Sequence, residues 1–96
     1  MTLQARLSAA QDAMSAALDD GDVEAFARIV RDRAADVRTL AGRARELDAF
    51  VRSFLIRDRA LEARAEAVRD ATKGELALVQ RRKAAGRAYL SDGART

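Results

Sequence analysis

Few residues in the chain could do chemistry, and their spacing argues against catalysis. The chain has no histidine and no cysteine, which removes the commonest general base, the commonest metal ligand and all thiolate reactions. Ser8, Ser15, Ser53 and Ser91 therefore have no imidazole to activate them. Lys73 and Lys83 are the only lysines, and both stand among charged neighbours. Asp19, Asp20 and Asp22 form a close carboxylate group. A divalent-cation loop needs more oxygen ligands at set spacing, and capping of a helix junction explains these three. The glycines Gly21, Gly42, Gly74, Gly86 and Gly93 stand singly, so the sequence offers no phosphate-cradling loop. The expectation is a protein that is not an enzyme and uses no cofactor or metal.

The remaining polar signal is charge. Formal net charge is +3, but residues 1–48 carry 7 basic and 9 acidic side chains, whereas residues 49–96 carry 11 basic and 6 acidic. The basic excess peaks at Arg81, Arg82, Lys83 and Arg87. Such a cluster could meet phosphate or an acidic protein surface, or simply form a solvated helix face. Nucleic acid is the weaker partner reading. The aromatics are Phe26, Phe50, Phe54 and Tyr89, and none interleaves with the cluster as a base-stacking platform would. Acidic residues also alternate with basic ones along Glu62, Arg64, Glu66, Arg69 and Asp70.

The elements that carry these residues read as helices throughout. Proline is absent, and alanine, leucine, arginine and glutamate dominate, all strong helix formers. The 96 residues suit a single domain with a thin core. Thr2 can cap a first helix with the stripe Leu3, Leu7, Ala10, Met14 and Ala17, leaving Gln4, Arg6, Gln11 and Asp12 off it. Gly21 closes that helix and Asp22 caps the next. The second helix is expected from Val23 to about Leu40, on Val23, Phe26, Val30, Val37 and Leu40. Arg33 falls within this stripe, either lying along the seam with its head in water or pairing with a carboxylate on a neighbouring helix.

Gly42 offers a turn, and from Ala44 the chain can stay helical to Tyr89 on Leu47, Phe50, Phe54, Leu61, Ala65, Val68 and Thr72. The seam turns polar at Arg57-Asp58, and Lys73-Gly74 marks the expected place for a bend or break. The fold class is all-α: an antiparallel bundle of three or four helices with coiled-coil-like packing and a long C-terminal helix. Residues 1–90 form the domain and residues 91–96 a flexible tail. No apolar run approaches the roughly 20 residues of a membrane span, and the N-terminus lacks the pattern of a secretory signal. The expected location is cytoplasmic.

A long last helix outreaches its shorter partners, so its apolar positions form either an exposed seam or, folded back at Lys73-Gly74, a self-covered one. The exposed reading makes Leu76, Val79, Tyr89 and Leu90 the contacts for a partner helix, with Arg82, Lys83 and Arg87 selecting an acidic rim. The occupant would be a client protein or a second copy in a homodimer.

The stretch Ala16-Ala17-Leu18-Asp19-Asp20-Gly21-Asp22-Val23-Glu24-Ala25-Phe26, followed by Ile29, Arg31, Arg33 and Leu40, resembles the small helical flagellar export chaperones of the FliT type, relatives of the FlgN type. Asp58 within Ile56-Arg57-Asp58-Arg59-Ala60-Leu61 and the segment Lys83-Ala84-Ala85-Gly86-Arg87-Ala88-Tyr89 extend the likeness over nearly the whole chain. The resemblance implies a cytoplasmic chaperone that keeps a flagellar axial protein, of filament-cap or junction type, soluble for type III export and delivers it to the export ATPase machinery. It also implies that the last helix contains or covers the client-binding surface.

Overall fold

The computed structural model describes the backbone of residues 1–94 and the side-chain surroundings of residues 1–86. It is all-α, with α1 at Leu3–Asp19, α2 at Val23–Asp32, α3 at Ala34–Gly42 and α4 at Asp48–Ala94. The first three helices pack around the N-terminal half of α4. The molecule measures 77 × 20 × 19 Å, and α4 spans nearly its whole length.

Local chemistry sets the joints. Thr2 Oγ1 accepts from the Ala5 N–H at 3.1 Å and starts α1. At its end the Asp22 N–H donates to the Ala17 carbonyl at 2.8 Å and the Gly21 N–H to that of Leu18 at 3.0 Å. That pair of bonds needs a left-handed residue between them, and Gly21 sits at φ 70°. Asp22 Oδ1 then accepts from the Ala25 N–H at 3.0 Å and starts α2. The three aspartates at this junction thus include one helix cap, as the sequence suggests.

The second helix is not continuous from Val23 to Leu40. It is interrupted at Arg33, a single turn residue with φ −86° and ψ −4° between α2 and α3. Arg33 turns its side chain into the bundle instead of along a wet seam. α4 starts at Asp48 rather than Ala44, after a run of turns over residues 43–47. No break occurs at Lys73-Gly74: the helix passes straight through and continues to Ala94. Gly74 has open space around it, so nothing packs there to bend the helix. The fold-back alternative is therefore excluded. The helical backbone also covers residues 91–94, and the last two residues lie outside the described ones.

Two apolar clusters make up the core. One joins Leu3 and Leu7 of α1 with Leu40 and Phe54. The other joins Met14, Ala17 and Leu18 with Phe26, Leu61 and Ala65. Between them lies a polar layer. Gln11, expected off the stripe, is 3% exposed, while Ala10 is only half-buried. The α1 seam therefore runs Leu3, Leu7, Gln11, Met14, Ala17 and Leu18.

Candidate partner-binding surface

The polar layer is the most ordered chemistry in the molecule. Arg33 Nη1 and Nη2 donate to Asp58 Oδ1 and Oδ2 at 2.6 and 2.8 Å. Such a two-pronged pair fixes geometry as well as charge. Gln11 Nε2 donates to Asp58 Oδ1 at 3.1 Å and to the Phe54 carbonyl at 3.0 Å. The guanidinium lies over the Phe54 ring, 5.4 Å from its centroid, where the electron-rich ring face attracts it. Burial pushes the Asp58 carboxyl up, but the hydrogen bonds from Arg33 and Gln11 and the Arg33 charge outweigh burial and hold it below the usual carboxylate range. The layer ties α1, the α2–α3 break and α4 at one level. The two polar interruptions visible in the sequence, Arg33 and Asp58, are thus one interaction. It positions the helices, and only the buried Arg33 Nε–H finds no acceptor among the described residues.

Outside this layer, ion pairs staple the surface. Arg57 reaches Asp12 at 2.6 Å, Arg64 reaches Asp19 at 2.6 Å and Arg6 reaches Asp36 at 3.0 Å. The first two fasten α1 to α4 on one side. The other side of α4, facing α2 and α3, is less fully closed. Met14, Phe26, Val30, Arg33, Glu62, Ala65, Glu66 and Arg69 line a groove of about 280 Å³ there. Its lining is mixed, with Met14, Phe26 and Ala65 beside the buried Arg33, and its α4 rim carries the exposed Glu62, Glu66 and Arg69. Nearer the start of α4, Val37, Leu40, Ala41, Ala44, Val51, Phe54 and Leu55 line a second, largely apolar recess.

Beyond Val68 no other element covers α4 among the described residues. Every side chain from Arg69 to Gly86 is exposed. Leu76 is 57% exposed and Val79 45%, on a helix arm that no other described element touches. Arg82 and Lys83 are exposed on the same arm, and neither forms an ion pair among the described residues. The expected contacts Leu76, Val79, Arg82 and Lys83 therefore share one uncovered stretch of helix. The side chains of Arg87, Tyr89 and Leu90 lie outside the described residues. Leu78, 47% exposed, also stands on the arm. It escaped the sequence reading because it falls off the Val68–Thr72–Leu76–Val79 stripe.

Among the described residues no group of three or more histidine, cysteine, aspartate or glutamate residues could hold a metal ion, and no helix is long and apolar enough to cross a membrane. No family model, curated protein or solved structure matches the chain, so its resemblance to flagellar export chaperones rests on the residues quoted above.

Proposed function

We propose that the chain is a helical export chaperone or adaptor that holds an amphipathic helix of a flagellar axial protein along the free part of α4. The observation that carries this reading is the exposure of Leu76 and Val79 on an arm that projects beyond the three shorter helices. An apolar stripe on an otherwise charged helix, with open space around it, suits a partner helix laid alongside. Arg82 and Lys83 would then select a client whose rim is acidic, through long-range attraction more than through tight contact. The packed head of the molecule supplies the base from which the arm projects.

The client class comes from the sequence resemblance, and the docking mode from the exposed stripe. Co-expression with a filament-cap protein should yield a complex that survives purification and loses most of its affinity in Leu76→Asp. Failure to co-purify with both proteins folded overturns the client assignment.

A further inference from the structure

We infer that the recess between α3 and the start of α4 is a second docking surface, and that its occupant is an acidic amphipathic helix of a partner protein. The surface belongs to the packed head, so it acts whether or not the arm holds a client.

The recess is apolar and open. Val37, Leu40 and Ala41 of α3 line it together with Val51, Phe54 and Leu55 of α4, around a volume of about 230 Å³. Leu40 and Phe54 are buried, whereas Leu55 is 45% exposed. Ala41 is exposed as well, and Val37 and Val51 are only half-buried. The chain itself therefore leaves this apolar surface uncovered. The volume lies below the roughly 300–1,000 Å³ of small-molecule pockets. A shallow socket of this kind suits the anchor side chains of a helix laid across it, one or two turns at a time.

Charge selects the partner. The stretch from Ala34 to Leu61 holds four carboxylates, and each has an arginine of its own: Asp36 with Arg6, Glu46 with Arg43, Asp48 with Arg52 and Asp58 with Arg33. Arg57 is likewise taken, by Asp12. Arg38, Arg45 and Arg59 are exposed, and none has a carboxylate partner among the described residues. All three border the recess. Arg38 stands three residues before Ala41 and Arg59 four after Leu55, the spacings at which side chains on a helix are neighbours. Arg45 shares a surface hollow with Ala41 and Ala44, which also line the recess. Glu62 and Glu66 belong to the other groove, starting about two turns past Leu55. Unpaired arginines thus stand on both the α3 and the α4 side of the apolar socket. They complement a helix with glutamate or aspartate on both flanks of its apolar stripe, and they repel a basic one. Leu55 and Leu76 are separated by roughly 32 Å of helix at 1.5 Å per residue, so a short helix seated here does not reach the stripe of the arm.

The test uses the full chain and a labelled synthetic peptide of about 18 residues, long enough to hold helix. The peptide has leucine at every third and fourth position and glutamate on both flanks. A second peptide replaces the glutamates with lysine. Fluorescence anisotropy at low salt should show the glutamate peptide binding at least tenfold tighter than the lysine peptide, with the preference shrinking as salt rises. Leu55→Asp should weaken the glutamate peptide tenfold or more. Arg45→Glu with Arg59→Glu should do the same and admit the lysine peptide instead. Leu76→Asp on the arm should change neither affinity. All these positions are exposed, and circular dichroism on each variant verifies that the helices persist. No binding of the glutamate peptide overturns the inference, and so does binding without preference between the two peptides. Binding that Leu76→Asp removes and Leu55→Asp leaves intact places the peptide on the arm, which also overturns it. Sedimentation equilibrium covers the remaining occupant: a dimer that Leu55→Asp dissolves would make a second copy the partner and overturn the inference. A filament-cap complex that is indifferent to Leu55→Asp keeps the chaperone reading standing in every one of these cases.

Discussion

Arg33 and Asp58 are 9% and 14% exposed, so neither charge has full access to water. Removing one partner from such a pair leaves the other desolvated and unmatched, which costs more than the pair contributes. Asp58→Ala should therefore lower unfolding stability by about 2–3 kcal/mol, read as a drop in the urea midpoint. Replacing both residues by apolar side chains of similar size should recover most of that loss, because it removes the stranded charge. The same carboxylate gives a pH signature. Its folded pKa is depressed below the ordinary 3.8, so its contribution is complete above about pH 4 and is lost as pH falls through the folded value. Urea midpoints measured from pH 6 down to pH 2 should decline steeply below pH 4 in the natural chain. They should decline less in the doubly apolar variant. Asp36, held low by the hydrogen bond from Arg6, adds to the decline in both chains, but it lies on the surface and its share is small.

At the scale of the element, the caps and breaks carry the information. Gly21 occupies a left-handed conformation with open space around it. Gly21→Ala therefore tests backbone strain alone and should cost about 1 kcal/mol. Gly74 has the opposite character. It sits in an unbroken helix with nothing near a Cβ built upon it, so Gly74→Ala should raise helicity and stabilise the arm by about 0.5–1 kcal/mol. Circular dichroism at 222 nm over a temperature series reads both changes. The contrast explains what was legible in the sequence. Thr2, Gly21 and Asp22 act locally, through bonds within a few residues, and composition with spacing sufficed to read them. Gly74 invited a break by propensity, yet a helix this long tolerates one weak residue when its neighbours continue the ladder. Gln11 was placed off the stripe, and Arg33 stayed between two readings of which the carboxylate pairing holds, because their surroundings depend on Asp58, which lies on a different helix far along the chain. Burial of a polar residue is decided by its partner, and no period within one segment reveals that partner. The stripe through Leu76 and Val79 was legible as a pattern. Its exposure depended on α4 running straight, which is a property of the whole fold.

The whole molecule divides into a head that is packed and an arm that is not. Both apolar clusters draw on α4 no further than Ala65, with Val68 packed at the edge. The polar layer and the ion pairs from Arg57 and Arg64 lie within the same stretch. Nothing described beyond Arg69 touches the first three helices. Most helix stability in proteins comes from packing an apolar face, and the described part of the arm packs none, so the arm gives little to the head and takes little from it. A chain ending after Thr72 should therefore unfold in urea with an extrapolated unfolding free energy within about 0.5 kcal/mol of the full chain. It should also lose co-purification with a client. A truncated chain that unfolds much more easily would mean that the head draws stability from the arm. A truncated chain that keeps its partners would move the contact surface to the groove or to the recess around Val51 and Leu55. The experiment thus separates the part of the sequence that makes the fold from the part that the fold holds out for others.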